Sequence, residues 1–207
     1  MILEMLAVDR VRSVVGLCRA DPQAVGVLQV CAHRGLVQIS RHALRPTGYS
    51  RRAIPTDVVM LTERGRRTAA DHLGRLVPAC SLPDGMEHAL GVGELRQVLQ
   101  IPPCAWTAAF EINAAHFSGG WNQPGRGLPD ALADIDGMRL ALEYDHGRYT
   151  AVQVHLKQDA FRHIADSAVW AAPTHRRARW LTTMGCQQLV VVPIQLGSNK
   201  ELAGPSG

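Results

Sequence analysis

Four side chains in the second half of the sequence carry the chemistry that most narrows its function: Asp130, Glu143, Asp145 and Lys157. Residues 128–134 read as a short strand carrying Asp130. Residues 138–145 read as its partner across an Asp136-Gly137 turn. Alternation puts Leu140, Leu142 and Tyr144 on one face, and Arg139, Ala141, Glu143 and Asp145 on the other. Carboxylates delivered by two neighbouring strands can converge on one hard cation, and Mg2+ or Mn2+ takes oxygen ligands of this kind. Such a cation activates water and steadies charge on a phosphodiester. A lysine beside it holds the phosphate or lowers the pKa of the attacking water. A helix predicted over 149–165 places Tyr149, Gln153 and Lys157 on one stripe. The candidate catalytic set is therefore Asp130, Glu143, Lys157 and Gln153, with Asp130, Glu143 and Asp145 as metal ligands. Plainer readings stand beside these. Asp130 follows Pro129 and could cap a turn; Glu143 and Asp145 could lie on a solvated face with Arg139 or Arg148; Lys157 could be an ordinary exposed helical lysine. Glu111 is a further candidate acid.

The elements around this set are a helix over 87–99, a strand over 106–112, a Gly-rich loop over 116–127, the hairpin, the helix and an apolar strand over 189–194. A fully apolar strand is the kind buried in the middle of a sheet. The order is helix, three strands, helix, strand. Residues 78–85, with Pro78, Pro83 and Gly85, read as a linker before it. His175, Arg176, Arg177 and Arg179 lie beside Trp170 and Trp180. They could line a nucleic-acid groove, or form a solvated helix over core tryptophans.

The segment before the linker has its own pattern. Val8, Val11, Val14, Val15 and Cys18 have helical spacing. Asp21-Pro22 opens a second helix bearing Val25, Leu28, Cys31 and Ala32, which Gly35 ends. A strand over 36–39, an exposed basic loop over 41–55, a strand over 58–61 and a helix capped by Thr62 follow. This is the order of a winged helix-turn-helix. The second helix would enter the major groove, with Gln23, Gln29, His33 and Arg34 toward DNA. Arg41, Arg45, Arg51 and Arg52 would neutralise phosphates. The alternative is a module that only binds protein or dimerises.

The stretch LPDALADIDGMRLALEYDHGRYTAVQVHLKQDAF resembles the PD-(D/E)XK nuclease-like core. With GLV at 35–37 and LTERGR at 61–66, the chain over residues 2–195 resembles the replication-relaxation family of plasmid and mobile-element proteins. That resemblance implies a mixed α+β or α/β protein: an N-terminal winged helix-turn-helix and a C-terminal restriction-endonuclease-like domain of order αβββαβ. It implies DNA binding in replication, DNA relaxation or mobilisation. One departure stands out. Asp145 occupies the place of the motif lysine, so Lys157 is either a migrated replacement or part of a relic that binds without cutting.

Composition sets the outer bounds. The 207 residues are 46% hydrophobic and 19% charged, which excludes a disordered or collagen-like chain. The expected division is 1–78, 86–196 and a flexible tail over 197–207. No apolar run approaches the roughly 18 residues of a membrane span. The first residues lack the basic region and cleavage site of a signal peptide, so a cytoplasmic protein is expected. Five cysteines, none at CxxC spacing, argue against a disulfide framework and a cysteine zinc site. No phosphate-binding loop motif is present. Residues 1–80 carry 12 Arg against 6 acids, while residues 81–207 carry 10 basic and 12 acidic side chains. Double-stranded DNA is thus the first partner expected, with a homodimer and replication or mobilisation proteins as further ones. Three readings follow: a DNA-binding protein of a mobile element with a nuclease-like domain, a metal-dependent DNA endonuclease or nickase, and a winged-helix transcriptional regulator whose second domain dimerises or binds protein.

Overall fold

The structure, a computed structural model, describes residues 2–48, 50–77, 85–112 and 127–199. It is a mixed α and β protein that divides into two compact units, Met1–Gln97 with Ile194–Gly207, and Val98–Pro193. No helix among the described residues is long and apolar enough to cross a membrane. Most of the expected linker (78–84), nearly all of the Gly-rich loop, and tail residues 200–207 lie outside the described residues.

The first unit contains α1 (Ile2–Asp9), β1 (Val11–Ser13), α2 (Val14–Ala20), α3 (Ala24–His33), β2 (Val37–Leu44), β3 (Ile54–Leu61), α4 (Glu63–Leu73) and α5 (Met86–Val98). The single first helix expected through Val8–Cys18 is in fact helix, strand and helix. Arg10 breaks it with a left-handed φ of 67°, and β1 pairs antiparallel with Val58–Met60 of β3. Val8, Val11 and Val14 are all buried in either arrangement, so their spacing did not separate the two. Ser13 starts α2 by accepting a hydrogen bond from the Gly16 amide.

The strands form an antiparallel sheet ordered β1-β3-β2. The β2–β3 hairpin is longer than expected: pairing runs from Val37↔Leu61 out to Leu44↔Ile54. The basic loop therefore shrinks to 45–53, and Arg41 belongs to β2. Pro55 is tolerated in β3 because β1 covers only residues 58–60, leaving one edge of the strand open there. Gly35 and Thr62 meet at the base of the hairpin. The Thr62 hydroxyl donates to the Gly35 carbonyl at 2.6 Å and accepts from the Gly65 amide. A Cβ at Gly65 would lie 1.9 Å from the Leu36 carbonyl oxygen, so that contact admits only glycine. Ile2, Leu6, Val14, Leu17, Leu28, Val37 and Val59 form the core between helices and sheet.

Helix α5, expected to open the second domain, packs in the first unit instead. The cause is a buried ionic cluster. Asp9 accepts from Arg12 Nη1 at 3.0 Å and from Arg96 Nε at 2.6 Å. Arg12 also donates to the Gly93 carbonyl and to Glu94. All four charged side chains are buried, and a Cβ at Gly93 would fall 2.8 Å from Arg12 Cδ. Residues 194–199 return to the same unit: Gly197 pairs with Asp57 and Thr56, and Asn199 with Asp57. The expected tail is therefore tied down at 197–199.

The second unit contains β4 (Trp106–Ala108), β5 (Ala131–Ile135), β6 (Met138–Tyr144), α6 (Ala151–Phe161), β7 (Ser167–Ala172), α7 (His175–Thr183) and β8 (Gln188–Val191). Its sheet order is β4-β5-β6-β7-β8. The first three strands are antiparallel, and β6, β7 and β8 are parallel. Helices α6 and α7 are the two crossovers. Residues 109–112 are helical, so the strand expected over 106–112 stops early. β8 is an edge strand rather than a central one, and it is only half-buried. Asp136 and Gly137 both have positive φ, as a two-residue hairpin requires. Trp170, Phe161, Val154 and Leu181 fill the core beneath the crossovers.

Removing Asp9 takes from Arg12 and Arg96 the buried carboxylate they share, at a cost of about 3–5 kcal/mol. Asp9→Ala is expected to lower the stability of the first unit by that amount in urea unfolding followed by circular dichroism. A loss under 1 kcal/mol would show that the cluster does not hold α5.

Candidate functional site

Ala131 of β5 pairs with Leu142 of β6, which sets Asp130 beside Glu143 and Tyr144 on the adjoining strand. The Asp130 carboxylate accepts from the Tyr144 amide at 2.7 Å. Tyr144 points to the opposite face and donates to the Val192 carbonyl. Glu143 has no exposed surface. Its Oε1 accepts from the Tyr149 hydroxyl at 2.5 Å and lies 2.9 Å from Lys157 Nζ. Its Oε2 is buried and has no hydrogen-bond partner. Lys157 arrives from α6, donates to the Leu128 carbonyl at 2.7 Å and sits over the rings of Tyr149 and Phe161. The structure thus brings together Asp130, Glu143 and Lys157.

Burial pushes the Glu143 carboxyl up to about 7, and repulsion from Asp130 adds to this, while Lys157 and Tyr149 oppose it. Tyr149 is pushed well above its ordinary value by burial and by Glu143, so it remains a donor.

Two expected members of the site serve elsewhere. Asp145 follows the last residue of β6. Its Oδ1 accepts from the Gly147 and Arg148 amides at 2.7 and 3.1 Å. Its Oδ2 accepts from Arg177 Nε at 2.7 Å. It closes the turn into α6, with both oxygens engaged there. Gln153 is exposed and completes a capping box with Thr150 at the start of α6. The helix begins two residues later than expected, so this side chain belongs to its first turn. Glu111 accepts from the Ala108 amide.

Sequence reasoning missed Tyr149 and Arg177 as parts of this region. Tyr149 was visible on the stripe with Lys157. Arg177 lies 32 residues from Asp145, and its place among His175, Arg176 and Arg179 gives no sign of that partner. It also donates to the Tyr149 carbonyl and stacks 3.7 Å from the Trp180 ring. His175, Arg176 and Arg179 of the same helix are exposed.

No group of three His, Cys, Asp or Glu side chains suited to a metal occurs among the described residues. Mg2+ is commonly held by one or two carboxylates with water completing its shell. Glu143, whose Oε2 has no hydrogen-bond partner, and Asp130 on the adjoining strand fit a two-carboxylate site of that kind, not the three-ligand site expected.

The DNA-facing candidates lie in the first unit. Gln23, Gln29, His33 and Arg34 are exposed on or beside α3, and Arg45, Arg51 and Arg52 are exposed in the 45–53 loop. Arg41 is exposed but paired with Asp57 at 2.8 Å. Residues 22–56 contain five arginines and no Asp or Glu. No protein-family model matches the chain, nor does any curated protein or solved structure.

A carboxyl group raised from 4.5 to about 7 binds its proton more tightly in the folded than in the unfolded chain. Its contribution to stability is complete below the unfolded value and is lost as pH rises through about 7. Glu143→Gln is expected to remove roughly 3 kcal/mol of stability change between pH 4.5 and 8. Thermal unfolding of both proteins across that range checks this; parallel pH profiles would contradict it.

Proposed function

We propose that this is a DNA-binding protein of a plasmid or other mobile element, built as a winged helix-turn-helix followed by a nuclease-like domain. The observation that carries the DNA-binding part is the acid-free, arginine-bearing stretch that spans α3 and the β2–β3 hairpin. Supporting it is the order helix, strand, helix, helix, strand, strand, helix with a β1-β3-β2 sheet. In that frame α3 is the helix for the major groove and the 45–53 loop is the wing. The arginines at the wing supply the salt-dependent affinity for phosphates. Replication, relaxation or mobilisation of an element is the process this reading assigns, through the sequence resemblance.

Arg45→Ala, Arg51→Ala and Arg52→Ala together are expected to weaken duplex binding at 50 mM salt. They should reduce the slope of log affinity against log salt by about 3. Fluorescence anisotropy on a 24-base-pair duplex checks it. An unchanged slope would remove the wing from the interface.

A second reading, metal-dependent cleavage of DNA, is favoured by the convergence of Asp130, Glu143 and Lys157. Asp130 and Glu143 would hold Mg2+ or Mn2+, and the cation would supply charge stabilisation at the phosphate and an activated water. Lys157 fixes the Glu143 carboxylate by its Oε1 and adds a positive charge beside it. Supercoiled plasmid incubated with Mn2+ is expected to be nicked by the native chain and left intact by Asp130→Ala and Glu143→Ala. Cutting by both variants, or none by the native chain, would leave DNA binding alone.

A further inference from the structure

A buried carboxylate is best satisfied when its donors are divided between its two oxygens, because an oxygen left bare bears the full cost of losing water. Glu143 is met otherwise. It has no exposed surface. Among the described residues, both side chains that donate to it come to Oε1, the Tyr149 hydroxyl at 2.5 Å and Lys157 Nζ at 2.9 Å. Oε2 is buried without a hydrogen-bond partner. A buried polar atom in that condition calls for an occupant or a role.

Tyr149 is fixed for its contact from several sides. Arg177 of α7 donates to its carbonyl at 2.6 Å, and Thr150 caps α6 directly after it. Its ring lies under Lys157 Nζ, 5.3 Å from the ring centre. Lys157 is itself tied to the Leu128 carbonyl. The last torsion of a glutamate side chain is broad, so a single donor would leave the carboxylate free to swing. Two anchored donors, one before α6 and one two turns along it, hold its plane.

We propose that Tyr149 is a positioning residue, which by sharing Oε1 with Lys157 leaves Oε2 as the oxygen that binds a divalent cation. This rests on the metal-dependent reading and adds to it a residue outside the expected set. A tyrosine that only paired a buried charge would matter to stability and not to metal.

The test uses the full chain and Mn2+ alone. Free Mn2+ is read by electron paramagnetic resonance at pH 7.5 and 8.5, with thermal unfolding in parallel. Tyr149→Phe removes the hydroxyl and keeps the ring under Lys157. It is expected to weaken Mn2+ binding by about 10–100-fold at both pH values, as loss of a group that orients a ligand does. Thr174→Ala removes the N-cap of α7 and touches neither oxygen of Glu143. It should lower the thermal midpoint and leave Mn2+ affinity unchanged. Equal affinity in the native and Tyr149→Phe chains overturns the inference and leaves the metal-dependent reading standing. So does a loss matched by Thr174→Ala, or one that disappears at pH 8.5 and so reports only competition from a proton. No Mn2+ binding by the native chain, or binding unchanged in Asp130→Ala, overturns both.

Discussion

A carboxylate with no exposed surface must be answered by donors or by a proton, and much of the second unit is arranged around answering Glu143. It sits one residue from the end of β6, so its partners must come from whatever follows the strand. Tyr149 reaches it from just before α6, and Lys157 from two turns along that helix. That requires the chain to reverse within a few residues. Asp145 makes the reversal possible by accepting amide hydrogens of the turn, and Thr150 and Gln153 then start the helix. Arg177 holds Asp145 from α7. The second crossover thereby steadies the first, through residues that never touch Glu143.

The first unit answers a related problem differently. Arg12 is fully buried in a three-residue strand, and its charge is met by Asp9 and Glu94 with the Gly93 carbonyl. Glycines at 16 and 93 leave the volume that Glu94 and Arg12 occupy. Burial pushes the Glu94 carboxyl above its ordinary value, although Arg12 pulls it back. Such a cluster is weak evidence for added stability, since a packed apolar core can do as well. Its directional bonds tie Gly93, Glu94 and Arg96 of α5 to Asp9 of α1 and Arg12 of β1.

Local signals survived into the structure where both partners of a contact were encoded nearby. Asp136-Gly137 turns the β5–β6 hairpin, and alternation along β6 sends Glu143 and Tyr144 to opposite faces. The GLV and LTERGR pieces touch: Thr62 bonds Gly35, and Gly65 lies under Leu36. What was not legible depended on distant partners. β1 exists because β3 lies beside it, and three residues carry too little periodicity to announce a strand. α5 carries buried Glu94 and Arg96, so hydropathy could not say which core it joins. Arg41 looked like a wing residue until the hairpin register placed Asp57 opposite it.

The same distinction accounts for the aspartate at position 145. A lysine two residues after Glu143 would place a cation where the turn needs an acceptor and where Arg177 already approaches. Like charges would meet at that point, and amides of the turn would lose their partner. A lysine on α6 avoids both costs. From position 157 it reaches the same carboxylate at 2.9 Å while the turn keeps its aspartate. This arrangement also divides the two oxygens of Glu143: Lys157 and Tyr149 occupy Oε1, and Oε2 has no hydrogen-bond partner. On the metal-dependent reading proposed above, a cation at Oε2 would join the lysine instead of displacing it. With Lys157 and Tyr149 both on Oε1, the second oxygen of the glutamate stays buried without a donor.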